Sequence, residues 1–341
     1  MKLIKTEDAV GQVLCHDITQ IIKGVSKGTV FRKGHIVTEE DIPVLLRVGK
    51  ENLYIWEHNE SMLHEDEAAE ILRDICHGEH MHASAPKEGK IELIADMDGL
   101  FVADTERLQA INALGEMMIA TRSSSFAVKK GDKLCGTRVI PLVIEKEKMA
   151  RAVAVAGEEP ILQVHPMHPK RFGVVTTGSE VFRGRITDTF TPVLEEKLGE
   201  FGCKMAWHQI VDDDPAAITN AITSMLAEGA ELVLCTGGMS VDPDDRTPLA
   251  IRNAGANIVS YGAPVLPGAM FLMSYMPDGT PVCGLPGCVM YAKRTIFDLV
   301  LPFLLADVPV TQEWLSTLGK GGLCLDCAEC HFPNCGFGKG G

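Results

Sequence analysis

Features that mark membrane, secreted and nucleic-acid-binding proteins are missing from this chain of 341 residues. Its most apolar stretch, residues 295–308, contains an aspartate and a proline and is too short to span a bilayer. The first residues contain no apolar segment of the kind that directs secretion, so we expect no signal peptide. A net charge of −14 leaves no basic stripe for phosphate backbones, which argues against nucleic acid as a partner. We therefore expect a cytoplasmic protein.

The composition is that of an ordinary globular protein, with 46% hydrophobic and 23% charged residues and enough chain for two or three domains. Short apolar runs between glycine turns predict a small α+β module at residues 1–85. A β-rich α+β module should follow at residues 86–165, with a strand at residues 152–156. His77, His80 and His82 lie near the boundary between these modules, where a polar linker and a transition-metal site are alternatives.

Residues 166–310 alternate apolar strands with helices, and the last helix is predicted at residues 288–305. Such alternation predicts an α/β fold: an open, mostly parallel sheet with helices on both faces. The remaining segment, residues 311–341, is a tail rich in cysteine and glycine.

Glycine-bearing loops follow three strands of the predicted α/β domain, at residues 176–180, 236–240 and 285–287. In an open α/β sheet such loops meet at the carboxyl edge, where backbone amides can hold a phosphorylated ligand. None of the three matches a P-loop or a dinucleotide fingerprint. The candidate ligand-binding residues are Thr177, Gly178, Glu180, Thr236, Gly237, Gly238, Ser240, Pro286 and Gly287.

Carboxylates lie beside two of these loops. Asp214 precedes a proline and is best explained as a helix N-cap, and Thr247 before Pro248 should cap another helix. Asp188 is either a further cap or part of the site. Asp242 and Asp245, with Asp244 between them, are either solvated turn residues or ligands that hold Mg²⁺ against an anionic substrate.

Four cysteines in the tail follow a metal-site spacing: Cys324, Cys327, Cys330 and Cys335. Four thiolates at this spacing could close a zinc site or hold an iron–sulfur cluster. The alternative is a reduced, flexible tail, since we expect no apolar face to order so small a segment without metal.

As a set, the motifs resemble the molybdopterin-binding domain shared by the molybdenum cofactor biosynthesis proteins MogA, MoeA and gephyrin. The resemblance covers residues 172–305. It rests on the three glycine loops, on the motif at residues 186–189, on the Asp-Asp-Pro at residues 213–215 and on the loop that runs to Asp245. It implies a MogA-like sheet and binding of molybdopterin or its adenylate.

The resemblance also implies roles for single residues. Asp188 and Asp245 match active-site aspartates of the family, and Asp242 lies beside the latter in the same loop. The Gly-Ser-Glu and Leu-Pro-Gly motifs are closer to MoeA, which implies a molybdopterin molybdotransferase that uses Mg²⁺ and inserts molybdate. Phe190, Asp242 and Cys288 depart from the MoeA pattern. The alternative is therefore a non-catalytic carrier or chaperone that delivers the cofactor to a recipient molybdoenzyme. Family proteins also form homo-oligomers, so a dimer is an expectation by resemblance.

Overall fold

The structure of the chain is a computed structural model that describes residues 2–22, 26–55, 60–239 and 246–340. Within these residues the strands are β1 (Lys2–Lys5), β2 (Ile18–Ile22), β3 (Ser26–Phe31), β4 (Asn52–Ile55), β5 (Met62–His64), β6 (Met81–Ala83), β7 (Lys90–Ala95), β8 (Gly99–Ala103), β9 (Met117–Thr121), β10 (Phe126–Val128), β11 (Lys133–Val139), β12 (Val143–Glu145), β13 (Leu162–Pro166), β14 (Arg171–Thr177), β15 (Lys204–Val211), β16 (Leu232–Thr236), β17 (Asn257–Tyr261), β18 (Leu272–Tyr275) and β19 (Pro281–Leu285).

The α-helices in the same part of the chain are α1 (Ile42–Arg47), α2 (Glu65–Cys76), α3 (Thr105–Asn112), α4 (Lys146–Ala156), α5 (Ser179–Phe182), α6 (Phe190–Gly199), α7 (Pro215–Ala227), α8 (Thr247–Asn253), α9 (Ile296–Leu305) and α10 (Gln312–Thr317). Among the residues that the structure describes, none of the helices is long and apolar enough to cross a membrane.

The chain folds into two compact units, each assembled from separate segments. The first unit comprises Met1–Asp96, Ala103–Arg122 and Gly131–Gln163, and the second comprises Met97–Val102, Ser123–Lys130 and Val164–Gly341.

The first unit is built from antiparallel strand pairs. Its largest sheet has the order β6-β7-β11-β9, and smaller sheets pair β1 with β4, β2 with β3 and β5 with β12. Helix α2 packs against β7 and β11 and buries Leu72 and Cys76. A small cluster of buried side chains that includes Leu14, Ile18 and Leu45 forms a further core in this unit.

The second unit contains a six-stranded sheet in the order β15-β14-β16-β19-β18-β17. The first four strands are parallel, and β18 runs antiparallel to both of its neighbours. All five residues of β16 are buried, as expected for a parallel strand covered on both faces. Helices α6 and α9 contribute to the core on one face, and α7 and α8 contribute to the core on the other. The predicted fold, an open, mostly parallel sheet with helices on both faces, is confirmed.

Two predicted elements are wrong, for different reasons. Residues 152–156 belong to α4 and not to a strand. Their alternation of alanine and valine imitates a strand, but Met149, Ala152 and Ala156 lie on one buried face of a helix. Residues 288–305 form a 3₁₀ turn followed by α9 instead of one long helix. Thr295 and Asp298 form a capping box that begins a new helix there.

Helix α9 is buried along its whole length, and a charged network anchors its first turn. Asp298 Oδ1 accepts hydrogen bonds from Lys197 Nζ at 2.7 Å and from Arg294 Nη1 at 2.9 Å. Its Oδ2 accepts one from the backbone N–H of Thr295 at 2.7 Å. A buried carboxylate is tolerated only with such partners, and this one ties α6 to the start of α9.

Asp214 caps α7, as the sequence predicts. Its carboxylate accepts hydrogen bonds from the backbone N–H groups of Ala216 at 3.3 Å and Ala217 at 3.2 Å. We expect Asp214→Ala to lower the free energy of unfolding by about 1 kcal/mol, whereas Asp214→Asn should keep nearly all of it because asparagine caps equally well. Urea unfolding followed by circular dichroism measures both values, and equal losses in the two variants would contradict the capping role.

The C-terminal segment packs on the core of the second unit. Leu323 forms a parallel bridge with Leu266, and the N–H of Gly338 donates a hydrogen bond to the carbonyl of Gly321 at 3.0 Å. Phe337 is buried, and Phe332 contacts the rings of both Phe337 and Phe126. The expectation that this segment lacks an apolar face of its own is wrong, because its phenylalanines supply one.

Candidate functional site

The three glycine loops of the second unit lie side by side at the carboxyl edge of its sheet. Thr176 of β14 is in register with Thr236 of β16, and Thr236 is in register with Leu285 of β19. Since these strands are parallel and end within one residue of these positions, the loops that follow them are neighbours. Residues separated by more than 100 positions in the chain thus form one site.

The second loop approaches the first so closely that side chains are excluded. Gly237 and Gly238 have φ angles of 82° and 57°, which residues with side chains rarely adopt. A Cβ atom on Gly237 would lie 2.4 Å from the carbonyl oxygen of Thr177, and one on Gly238 would lie 2.7 Å from Thr247 Oγ1. Glycine is therefore required at both positions.

Thr247 connects the start of α8 to this loop and is not the cap that its sequence context suggests. Its hydroxyl donates a hydrogen bond to the carbonyl of Gly237 at 2.9 Å, while Arg246 occupies the N-cap position. The hydroxyls of Thr177 and Thr247 also lie 3.4 Å apart. Two threonines and two glycines thus fix the backbone of both loops.

Thr236 ends β16 with a hydroxyl that has no partner among the residues that the structure describes. The residue is 1% exposed, and its Oγ1 is buried without a hydrogen bond in the part of the chain that the structure describes. A buried hydroxyl without a partner is energetically unfavourable.

Asp188 lies just before α6 and accepts hydrogen bonds from groups of α6 and β14. Its Oδ2 accepts hydrogen bonds from Thr191 Oγ1 at 2.6 Å and from Thr176 Oγ1 at 3.1 Å. Its Oδ1 accepts from the backbone N–H groups of Phe190 at 2.8 Å and Thr191 at 3.2 Å. Burial alone would raise the pKa of Asp188, but these hydrogen bonds outweigh it and hold the pKa below the usual 3.8. Asp188 is therefore an ionised carboxylate, and it also caps α6.

His208 of β15 completes this cluster and is a residue that sequence reasoning missed. Its Nε2 lies 3.3 Å from Asp188 Oδ2, 3.0 Å from Thr176 Oγ1 and 3.2 Å from Thr191 Oγ1. The signal that could have found it is its position in β15, the strand that follows α6. Because β15 pairs with β14 and His208 lies opposite Val174, this position brings the histidine close to Thr176. A single histidine in an exposed strand did not stand out without that register.

Asp188 makes stability depend on pH in a defined direction. Because its pKa is lower in the folded than in the unfolded chain, its stabilising contribution is fully present above the unfolded value of 3.8 and is lost as pH falls through the lower folded value. We expect the thermal midpoint of the wild-type chain to fall more steeply between about pH 4 and pH 2 than that of Asp188→Asn. Parallel slopes for the two proteins would contradict this assignment.

The first and third loops place the other predicted residues at the same edge. Gly178 has a φ angle of 135°, and the backbone N–H of Ser179 donates to Asp213 Oδ2 at 2.8 Å, so that amide is already occupied. Glu180 is exposed in the short helix that follows. In the third loop Pro286 is buried and Gly287 exposed at the start of a 3₁₀ turn.

This 3₁₀ turn also reaches the Asp188 segment. Thr189 Oγ1 donates to Met290 Sδ at 2.9 Å. Cys288, in the same turn, is half-buried, and burial raises the pKa of its thiol. The third loop and the carboxylate cluster are therefore in contact.

Four predicted site residues, Ser240, Asp242, Asp244 and Asp245, lie outside the described residues. Their proposed roles in metal and substrate binding stay predictions.

The structure does not assemble the cysteines of the tail into a metal site. Cys327 and Cys330 are exposed, whereas Cys324 and Cys335 are half-buried against the core of the second unit. Within residues 2–22, 26–55, 60–239 and 246–340, no three His, Cys, Asp or Glu side chains are placed to hold a metal ion together. The same holds for the histidines near residue 80, where His82 instead pairs with Asp96 at 2.6 Å.

Two family descriptions match parts of the chain. Residues 3–57 match a domain of unknown function, DUF8806, and residues 173–306 match the family described as "Probable molybdopterin binding domain". The second range contains the three glycine loops, Asp188 and His208.

Curated relatives match over shorter stretches. A molybdopterin molybdenumtransferase of Synechococcus elongatus is 26% identical over 180 residues, which cover 50% of this chain and 42% of that protein. A molybdenum cofactor biosynthesis bifunctional protein of the same organism is 36% identical over 83 residues, or 24% of this chain and 26% of that one. A CinA-like protein of a Mycobacterium species is 38% identical over 90 residues, or 26% and 21% of the two chains. The chain thus spans less than half the length of these relatives.

Among solved structures, the molybdopterin biosynthesis enzyme MoaB of Thermus thermophilus is similar to part of this chain. The alignment covers 41% of this chain and 94% of that one, at 25% identity and a TM-score of 0.36. The family match at residues 173–306 and the two named cofactor-biosynthesis relatives agree with one another. Residues 173–306 are therefore similar to the family described as "Probable molybdopterin binding domain".

Proposed function

We propose that the carboxyl edge of the second unit binds molybdopterin or its adenylate and that the protein assists the insertion of molybdate. The observation that carries the proposal is the hydroxyl of Thr236, which ends the strand before the second glycine loop and is buried without a partner among the residues that the structure describes. A phosphorylated pterin brings hydrogen-bonding groups that can pair with this hydroxyl and with backbone amides of the loops.

Asp188 is the described residue that we propose for the chemistry. It stays ionised at neutral pH, because its pKa is lowered, whereas molybdate is itself an anion. A carboxylate and an oxyanion are brought together most readily by a hard divalent cation. We therefore propose Mg²⁺ between them, with Asp242 and Asp245 as the further ligands, and a positioning role for His208 through its contact with Asp188.

A carrier without catalytic activity is the second candidate. It is favoured because the carboxylate oxygens of Asp188 already have hydrogen-bond donors within the protein. Each oxygen of this carboxylate already accepts two hydrogen bonds. In addition, His208 Nε2 lies 3.3 Å from Asp188 Oδ2. To bind a cation, Asp188 would have to release at least one of these partners. A carboxylate that only holds the loop in shape would need no such change.

The two candidates are separated by incubating the full chain with molybdopterin or its adenylate, with and without molybdate and Mg²⁺, and analysing the bound species. Consumption of the adenylate with appearance of metallated cofactor supports the transferase. Tight binding without conversion supports the carrier. Absence of binding to either pterin overturns the proposal as a whole.

Thr236→Val tests the observation on which the proposal rests. We expect at least about tenfold weaker pterin binding, because a hydrogen bond to a buried group is lost, while the ligand-free variant should be no less stable than wild type. Isothermal titration and thermal melts measure the two effects. Thr223→Val, on the exposed side of α7, is the matched control and should leave affinity unchanged. A Thr236→Val protein that binds pterin like the wild type speaks against this site.

A further inference from the structure

A second candidate site lies in the first unit. A cavity of about 370 Å³ is lined by residues that include His16, Lys50, Glu65, Glu88, Arg138 and Leu142. We refer to it as the Glu65 cavity. All of its residues belong to the first compact unit, and His16 and Lys50 lie in the range that matches DUF8806. Its volume is in the lower part of the range for small-molecule sites.

Glu65 is the first residue of α2 and is 8% exposed. Its backbone N–H donates to the carbonyl of Leu142, but its carboxylate has no hydrogen bond and no ion pair with any residue that the structure describes. Burial, followed by repulsion from Asp66, raises the pKa of Glu65 to about 7, although Arg138 and Lys33 act in the opposite direction. A buried carboxyl group without partners destabilises the ligand-free chain.

His16 contributes a buried nitrogen that has no partner among the described residues. Its Nδ1 is buried and makes no hydrogen bond within the described part of the chain. Burial, and then the nearby ammonium of Lys50, lower the pKa of His16, so the imidazole is neutral at pH 7. Among the described residues, a histidine with a buried nitrogen that lacks a partner and a glutamate without an ion pair therefore line the same cavity.

Cations and anions line the cavity without pairing. Lys50, Arg138 and Glu88 form no ion pair within 4.0 Å in the ranges that the structure describes, and Asp17 accepts only the backbone N–H of Lys33 at 2.7 Å. Close to Glu65 there is also an ion pair between Lys33 Nζ and Asp66 Oδ2, which lie 3.1 Å apart. Unpaired charges of both signs around one space match a ligand that carries both signs.

We infer that the Glu65 cavity binds a small zwitterion of α-amino acid type, whose ammonium group donates to Glu65 and whose carboxylate accepts from Arg138. An ammonium is a good partner for a buried carboxylate, and a guanidinium can hold a carboxylate through two parallel hydrogen bonds. His16 also lines this cavity. This inference concerns a different unit from the pterin site and does not depend on the proposed function.

The test uses the full chain and a panel of the twenty L-amino acids, screened by thermal shift and measured by isothermal titration at pH 7. Each amino acid that binds is compared with its decarboxylated amine and its N-acetyl derivative. We expect the zwitterion to bind at least about tenfold more tightly than either analogue, because each analogue leaves one charge of the cavity unpaired. Failure of every amino acid to bind, or equal binding of the analogues, overturns the inference.

Variants locate the site. Glu65→Gln and Arg138→Ala should each weaken binding at least about tenfold, whereas Glu147→Gln, an exposed change in α4, should not. Glu65→Gln should also melt at the same or a higher temperature than wild type without ligand, because it removes an unpaired buried carboxyl group. A large destabilisation by Glu65→Gln would show a structural partner for this group and contradict the inference.

Binding should also release protons. A cation placed beside Glu65 favours its ionised form, so the group gives up a proton when the ligand binds near pH 7. The measured binding enthalpy should then vary with the ionisation enthalpy of the buffer for wild type and not for Glu65→Gln. An enthalpy that is independent of buffer in the wild-type chain would contradict the contact between ligand and Glu65.

Discussion

Asp188→Asn is expected to lower the rate of molybdate insertion by at least about hundredfold, the usual loss when a preorganised charge is removed from an active site. The substitution removes the negative charge but keeps an oxygen that can accept from Phe190 and Thr191, so α6 should still begin at the same residue. The measurement is single-turnover conversion of the adenylate with saturating molybdate and Mg²⁺. Pterin affinity is determined separately by titration.

Asp214→Asn is the matched control for this experiment. Asp214 is also an aspartate that caps a helix through two backbone N–H groups, but it serves α7 and lies outside the Asp188 cluster. We expect Asp214→Asn to insert molybdate at the wild-type rate. An Asp188→Asn protein with undiminished turnover would show that Asp188 has only a structural role, in agreement with the carrier.

Gly237→Ala is expected to abolish measurable pterin binding and to destabilise the chain by about 1–3 kcal/mol, the cost of forcing a side chain into a left-handed backbone conformation. Its Cβ would lie 2.4 Å from the carbonyl oxygen and 2.7 Å from the hydroxyl of Thr177, and the carbonyl oxygen cannot move without displacing the backbone of the first loop. One added methyl group therefore disturbs two of the three loops. Titration with pterin and denaturant unfolding measure the two effects.

Gly279→Ala separates backbone strain from steric overlap. Gly279 has a φ angle of 90°, close to that of Gly237, but no atom lies within 4 Å of a Cβ built on it. It lies in the turn between β18 and β19, at the opposite edge of the sheet from the glycine loops. Its substitution should cost stability alone. Unchanged pterin affinity in Gly237→Ala would argue that the ligand binds elsewhere.

The α/β domain was predictable because its main signals are local. The apolar residues of β16 are buried on both faces, and the predicted alternation of strands and helices is present in residues 166–310. The weaker signals gave errors. The alternating residues 152–156 follow a period of two inside a helix, whereas β18, at Leu272–Tyr275, has too few residues to show any period and was not predicted.

The site was predictable only in part, because its chemistry depends on register between distant strands. The glycines of the loops and Asp188 stand out as residue types. The partners of Asp188 do not, since Thr176, Thr191 and His208 lie on three elements that meet only in the folded sheet. Thr247 shows the same limit. Its sequence context predicts a cap, but the approach of Gly237 gives its hydroxyl a different acceptor.

The packing of the C-terminal segment determines how its thiols can be studied. A truncation at residue 320 would remove Phe332, which contacts Phe126, together with Phe337, which contacts Phe332, and would leave an apolar surface open to aggregation and proteolysis. If such a truncated protein no longer bound a partner, the loss could result from misfolding as well as from removal of the docking surface. Serine exchange at the exposed Cys327 and Cys330 removes the thiols and leaves the aromatic anchor in place. This segment is part of the core of the second unit, and affinity tags are better joined to a loop or to the other terminus.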